Sequence, residues 1–245
     1  VRIAYQDPAV TLYHGDALAV MPQLRRSAVD TVITDPPYGE TNLSWDKWPT
    51  GWMMECAALT RSVWCFGSLR MFMRQRSEFL GWEMSQDIVW EKHNGSSMAR
   101  DRFRRVHELV AHFYCGNWRT LYKKPIVVEV EEGRKQESMV RGQKPTHWNG
   151  IAKRVVYKFE GKRMQRSVIK VRSCHGYAIH PTQKPEDIIA PLIEYSVPAG
   201  GLVLDPFAGS ATTLLVARRM GRRAIGIEAD EAMVAKAVAR LRIAA

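Results

Sequence analysis

Residues 202–213 read L-V-L-D-P-F-A-G-S-A-T-T, and this stretch decides the fold. Leu202–Leu204 is aliphatic and strand-like, and it runs straight into Asp205-Pro206. Phe207-Ala208-Gly209 forms a turn of mostly small residues, and Ser210 is placed to cap a helix that continues to Met220 and ends at Gly221. A strand, a tight turn and a helix start let backbone approach a nucleotide-like ligand, and the helix N-terminus offers unpaired N–H groups and partial positive charge. The next strand, Ala224–Ile227, closes on Glu228, where a carboxylate can accept both hydroxyls of a ribose. Asp230 then caps a last helix to Leu241. Together these features predict an adenosine-type cofactor without saying which one.

The N-terminal part of the chain alternates in the same way. Val10–Tyr13 is a strand, followed by Gly15-Asp16 and an apolar-periodic stretch, Ala17 to Leu24. Val29–Thr34 is a second strand and ends directly at Asp35-Pro36-Pro37-Tyr38. A helix over 51–60, a strand over 62–66, a helix over 71–80 and a strand over 86–90 complete this part. Alternation with β-branched runs predicts a mostly parallel α/β sheet, whose ligands bind at the carboxyl ends of the strands. Two prolines fix φ and remove two N–H groups, so the turn at 35–38 presents a carboxylate, a rigid carbonyl and an aromatic ring together. That set suits a planar heterocycle with an exocyclic amine: Asp35 and the Pro36 carbonyl each accept one N–H, and Tyr38 stacks on the ring.

The 245-residue chain has 36 Lys+Arg against 25 Asp+Glu, and the excess is not evenly spread. Residues 92–175 hold 20 basic and 7 acidic residues, a net of +13 in a third of the chain. Such concentration suits a polyanion, because each neutralised phosphate releases a condensed counterion. Within this segment Glu108–Tyr114 is expected as a further sheet strand, and Arg154–Phe159 with Arg166–Val171 as a Lys/Arg-rich hairpin around Glu160-Gly161. The organisation expected is therefore 1–91 as the catalytic half of an α/β domain, 92–175 as a basic recognition region that is partly sheet, and 176–245 as the cofactor-binding half. No apolar run approaches a membrane span and no leader pattern opens the sequence, so a cytoplasmic chain is expected. The four cysteines contain no CxxC pair and the histidines no ligand spacing, so no metal is expected.

Asp35–Tyr38 taken with Asp205–Thr213 resembles the amino-methylating DNA methyltransferases, which use S-adenosylmethionine on adenine N6 or cytosine N4. The catalytic tetrapeptide precedes the cofactor turn with the basic segment between them, an order similar to the circularly permuted β group. His180-Pro181-Thr182-Gln183-Lys184-Pro185 and Gly15-Asp16 also match that group's pattern. The resemblance implies a Rossmann-like methyltransferase fold with a mixed, mostly parallel seven-stranded sheet. It implies that Asp35, Pro36, Pro37 and Tyr38 hold the target base and that Phe207, Ala208, Gly209, Ser210 and Thr212 line the cofactor. Asp205 and Lys184 would lie near the cofactor's methionine end, Glu228 would take the ribose and Asp16 the adenine. Arg104, Arg105, Lys158, Lys162, Arg163, Arg166 and Lys170 become the candidate contacts to duplex DNA, and Trp45 and Trp48 a loop that closes over the site or wedges into the duplex. The family usually has Gly where this chain has Ala211; if the site needs φ > 0, the extra Cβ costs about 1 kcal/mol or more.

These features imply direct in-line transfer to adenine N6 on a flipped base in a specific sequence, in a cytoplasmic enzyme at the nucleoid of a bacterial or phage-infected cell, with a homodimer left open. Asp rather than Ser at the head of the tetrapeptide leans to adenine over the N4-cytosine alternative. Carbon-5 methylation needs a Pro-Cys nucleophile, and the cysteines here follow Glu55, Trp64, Tyr114 and Ser173. A catalytically inactive DNA-binding module is the alternative of another class, favoured only by Ala211.

Overall fold

The structure, a computed structural model, describes residues 1–24, 29–95, 100–129, 162–174, 176 and 183–243. In chain order its elements begin with β1 (Arg2–Gln6), β2 (Val10–His14), α1 (Ala17–Val20), β3 (Thr31–Thr34), α2 (Trp52–Ala57), β4 (Ser62–Gly67) and α3 (Leu69–Arg74). β5 (Glu83–Glu91), β6 (His107–Tyr114), β7 (Val127–Glu129), β8 (Lys162–Met164) and β9 (Val168–Lys170) follow. The chain finishes with α4 (Glu186–Ser196), β10 (Leu202–Asp205), α5 (Thr212–Arg219), β11 (Arg223–Glu228) and α6 (Glu231–Ile243).

The chain forms two compact units, 125–166 and the remainder. The larger unit contains a nine-stranded sheet of order β1-β2-β11-β10-β3-β4-β6-β5-β9. Pairing is parallel from β2 through β4, and β6 then runs antiparallel to both of its neighbours. The seven strands expected are β2 to β5 in this order. β1 and β9 extend the sheet by one strand at each edge, β1 as an antiparallel hairpin partner of β2 and β9 parallel to β5. The two C-terminal strands sit between β2 and β3 of the N-terminal half, so the permuted halves interleave into one layer.

Period-two alternation assigns each strand residue to a face of the sheet. Ile33, Trp64, Phe66 and Val203 pack on one side with Ile188, Ile189, Leu192 and Ile193 of α4 and Leu214 and Leu215 of α5. Val32, Val63, Cys65, Leu202 and Leu204 face the other side, against Val20, Trp52, Met53 and Cys56. Strands covered on both faces read as continuous apolar runs, and β3, β4 and β10 are buried throughout for that reason. Among the described residues, no helix is long and apolar enough to cross a membrane.

Several expectations are corrected locally. Val168–Lys170 joins the main sheet beside β5, while Lys162–Met164 pairs antiparallel with Val127–Glu129 in the smaller unit. The expected hairpin arm at 154–159 and its turn lie outside the described residues. Ser210 does not cap α5: the N-cap is Ala211, with no side-chain hydrogen bond, and the Ser210 hydroxyl instead faces Thr212 Oγ1 at 3.2 Å. Asp230 does cap the last helix, its Oδ1 accepting from Met233 N at 2.7 Å.

Candidate active site

The sheet order makes the site. The crossover β10-α5-β11 leads toward one edge of the sheet and β3-α2-β4 toward the other, so the β10/β3 boundary is the switch point where such sheets open a crevice. The pairing Val203↔Thr31 and Leu204↔Val32 ends both strands at an acidic turn. The Thr34 hydroxyl donates to Asp205 Oδ1 at 2.7 Å, joining turns 171 residues apart in sequence. A cleft of about 1270 Å³ opens there, lined by Asp35–Tyr38, Asp205–Ser210, Thr212, Lys184, Glu228 and Asp16. Every described candidate for base holding and cofactor binding therefore borders one space.

On the cofactor side, Gly209 and Ala211 both adopt left-handed φ, 50° and 60°, and Ala211 is the lone non-glycine of that kind among the described residues. Ala211 N donates to Ala208 O at 2.7 Å, and Ala208 N to Ile227 O at 2.8 Å, fastening the turn to β11. Both Glu228 oxygens accept backbone N–H groups, from Gly209 and from Asp230, each at 2.8 Å. Gly15 N donates to Glu228 O at 2.9 Å, bringing Asp16 beside that strand end, and Asp16 Oδ1 caps α1 through Ala19 N. Burial pushes the Asp205 carboxyl up to about 6, although the hydroxyls of Thr34 and Thr213 and the N–H of Phe207 oppose the rise.

The base-holding side is built round Asp35. Its Oδ1 accepts the Tyr38 hydroxyl at 2.6 Å, and its Oδ2 lies 2.5 Å from Lys184 Nζ. The same ammonium is 3.2 Å from Glu108 Oε2 and 5.3 Å from the centre of the Phe66 ring. Glu108 Oε1 pairs with Lys92, which lies over the Trp90 ring. Burial alone would favour neutral groups, yet at Lys184 and Glu108 the opposed charges win. Lys184 is pushed up to about 12 by Asp35 and Glu108, and Glu108 is drawn down to about 2 by Lys184 and Lys92. Burial also pushes the Asp35 carboxyl up, with the Lys184 charge opposing it. Lys184 was expected at the methionine end of a cofactor; its ammonium is engaged by these two carboxylates.

Glu108, Lys92, Thr34 and Phe66 were not anticipated as site residues. Glu108 carried a legible signal: it shares a strand face with Val110 and His112, both buried, so a carboxylate stands where an apolar residue is the rule. Trp48 packs against Trp52 and Phe79, whereas Trp45 is exposed at the cleft rim. Asp46 fixes their loop, accepting from the N–H groups of Gly39, Glu40 and Thr41 and from the Thr41 hydroxyl.

Of the candidate DNA contacts, Arg104 and Arg105 are exposed on the larger unit, with Arg104 bonded to the carbonyl of Gly95, a cleft residue. Lys170 is exposed on β9 and pairs with Glu91. Lys162, Arg163 and Arg166 are exposed on the smaller unit, and Lys158 lies outside the described residues, as do His180, Pro181 and Thr182.

Comparison with known proteins agrees with this geometry. Residues 29–239 match the family model for DNA methylases of the N6/N4 type. The chain is 26% identical to the type II methyltransferase M2.DpnII of Streptococcus pneumoniae, over 93% of this chain and 87% of that protein. It is 25% identical to the type II methyltransferase M2.LlaDCHI of Lactococcus lactis subsp. cremoris, over 97% and 91%. Among solved structures, the M1.HpyAVI–SAM complex superposes with a TM-score of 0.63 at 24% identity, covering 95% of this chain and 99% of that one. The cytosine-N4-specific PvuII DNA methyltransferase superposes with a TM-score of 0.66 at 16% identity, covering 98% and 88%.

The left-handed turn yields a stability test. Ala211→Gly relieves strain of about 1–2 kcal/mol but loses a buried methyl worth about 0.8 kcal/mol, so its urea midpoint should stay close to that of the parent. Ala211→Val puts a β-branched side chain at φ 60° in a fully buried position, and should cost upward of about 2 kcal/mol. A valine variant as stable as the parent would show that this residue is not held left-handed.

Proposed function

The chain belongs to the DNA methylase family, and from that premise we propose that it transfers the methyl group of S-adenosylmethionine to N6 of adenine at a specific site in duplex DNA, on a base flipped out of the helix. The observation that carries this reading is the Thr34–Asp205 hydrogen bond, which holds the two acidic turns on one cleft.

The residues present fit the cofactor. A Cβ built on Gly209 would meet nothing within 4 Å, so that backbone borders open space. The cleft exceeds the roughly 300–1,000 Å³ of a typical small-molecule site, which leaves room for a cofactor and a base together. Glu228 is oriented by two N–H groups and keeps lone pairs for ribose hydroxyls. Asp205 supplies a carboxylate for the ammonium of the methionine moiety, and Phe207 an apolar wall. When bound, S-adenosylmethionine supplies an electrophilic methyl group on a sulfonium.

The rest is done by the protein. An exocyclic amine is a weak nucleophile because its lone pair is delocalised into the ring. Accepting its two N–H groups on Asp35 and the Pro36 carbonyl favours a pyramidal nitrogen with a localised lone pair, and stabilises the positive charge that develops there. Tyr38 holds the Asp35 carboxylate in one orientation and offers an aromatic face to the base. Fixing amine and donor in one cleft contributes through orientation. Lys184, held charged, does not act as the base, so the departing proton goes to water. In a stacked duplex the amine is out of reach, and extrusion costs a few kcal/mol. Basic side chains at Arg104, Arg105, Lys162, Arg163, Arg166 and Lys170 would contact the duplex, in keeping with a cytoplasmic, nucleoid-associated enzyme.

Nucleoside mass spectrometry of treated DNA should return N6-methyladenine; N4-methylcytosine would replace the adenine reading with its sister reaction. Asp35→Ala should bind cofactor yet transfer methyl roughly 100- to 1,000-fold more slowly, and transfer at the parental rate would overturn the assignment of Asp35. A pH series tests Asp205. Cofactor affinity measured by calorimetry should fall as pH drops through about 6, where Asp205 gains a proton, and Asp205→Asn should remove the dependence. For the free fold the sign is reversed. A carboxyl raised from its ordinary value binds its proton more tightly when folded, so its contribution to stability is present at low pH and lost as pH rises through about 6.

A further inference from the structure

We infer that Glu108 is a positioning residue that takes over the Lys184 ammonium when the target amine takes its place on Asp35. The inference rests on the reading of Asp35 as the acceptor of an amine N–H. In the structure each oxygen of Asp35 already accepts one donor, Oδ1 from Tyr38 and Oδ2 from Lys184. Each oxygen keeps a second lone pair, but an amine N–H arriving on Oδ2 competes there with a buried ammonium, and Lys184 has a second anion to move toward.

The ammonium of Lys184 is nine-tenths buried, so release into the cleft wall without an anion would be costly. Glu108 Oε2 lies 3.2 Å from the same Nζ and is buried. It holds this ammonium more loosely than Asp35 does, at 3.2 Å against 2.5 Å, so the contact has room to tighten. A shift of a few tenths of an ångström brings that contact to the 2.7–2.9 Å usual for a charged pair. Glu108 is itself anchored, its other oxygen tied to Lys92, so the ammonium moves and the carboxylate stays. The transfer keeps Lys184 charged and near Asp35, so part of its opposition to the burial-driven rise of the Asp35 carboxyl is retained. No bond is made or broken; one ion pair lengthens while its neighbour shortens.

The test separates this role from a merely structural one. The methylated site is first mapped with the parental enzyme, and duplexes carrying adenine or purine, which lacks the exocyclic amine, at the target are then titrated without cofactor. The ratio of the two affinities reports the contact between amine and Asp35. In Glu108→Gln, Lys184 stays on Asp35, and the ratio should shift against adenine by roughly tenfold, the value of one hydrogen bond to a charged group. Affinity for purine duplex and for cofactor should stay within twofold of parental values, and the single-turnover methylation rate should fall by a similar factor. Glu108→Asp, which keeps the anion, should recover part of both losses and controls for folding. A Gln variant with parental ratio and rate overturns the inference, as does a rate loss without any change in ratio. Failure of the adenine reading itself would appear separately, as absence of N6-methyladenine with the parental enzyme.

Discussion

A buried hydrogen bond from the Thr34 hydroxyl to Asp205 Oδ1 joins the two acidic turns on which the rest of the site depends. It exists because β3 and β10 are parallel neighbours in register, so both strands release their turns at the same edge of the sheet. The partners lie 171 residues apart because β4 through β9 and α4 all intervene between these two neighbouring strands. The permuted order of the sequence costs the site nothing: the C-terminal strands enter between β2 and β3, and a sheet edge does not record which strand was made first.

That edge concentrates acids, and the electrostatics must be balanced inside the protein. Asp35, Asp205, Glu108 and Glu228 all line the cleft, with Lys184 and Lys92 as the cations paired to two of them. The outcomes diverge: Glu108, between two cations, is drawn far down; Asp35, with one cation, is still pushed up by burial; and Asp205, served only by neutral donors, is held well up. Burial pushes every one of these carboxyls up, and only at Glu108, where two cations converge, do the attractions outweigh it. Two carboxylates around one ammonium make an arrangement in which small displacements redistribute charge, a property a binding site for a basic, amine-bearing ring can use.

Much of this was legible in the residues, for reasons that can be named. Asp35-Pro36-Pro37-Tyr38 and 205–213 announce themselves because proline, glycine and acid at strand ends are local signals, and the strands before them are buried on both faces and so read as apolar runs. Glu108 was hidden by its company: a single acid beside Arg104 and Arg105 reads as a solvated charge, and only the face shared with Val110 and His112 betrays burial. That Val168–Lys170 pairs beside β5 was not legible, because a run of Val, Ile and Lys carries no information about which edge it will join. Ser210 reads as a cap by residue type, yet the left-handed turn moves the cap to Ala211, and Arg240 donates to the Ser210 carbonyl and the Thr212 hydroxyl.

The strain at Ala211 persists because its surroundings over-determine it. Its N–H is fixed to Ala208 O, its carbonyl accepts from Leu215 N, and its methyl is fully buried among apolar neighbours, so no single relaxation frees the residue. A penalty of about 1–2 kcal/mol is tolerable only if the rest of the domain supplies the difference, as a sheet covered on both faces does. Glycine at this position would reach the same conformation without strain, but would leave the turn more freedom in the unfolded chain and one less methyl in the core. The turn that borders the cofactor side of the cleft is therefore held by packing where backbone preference opposes it, and its geometry is set by α5 and β11 rather than by the turn residues alone.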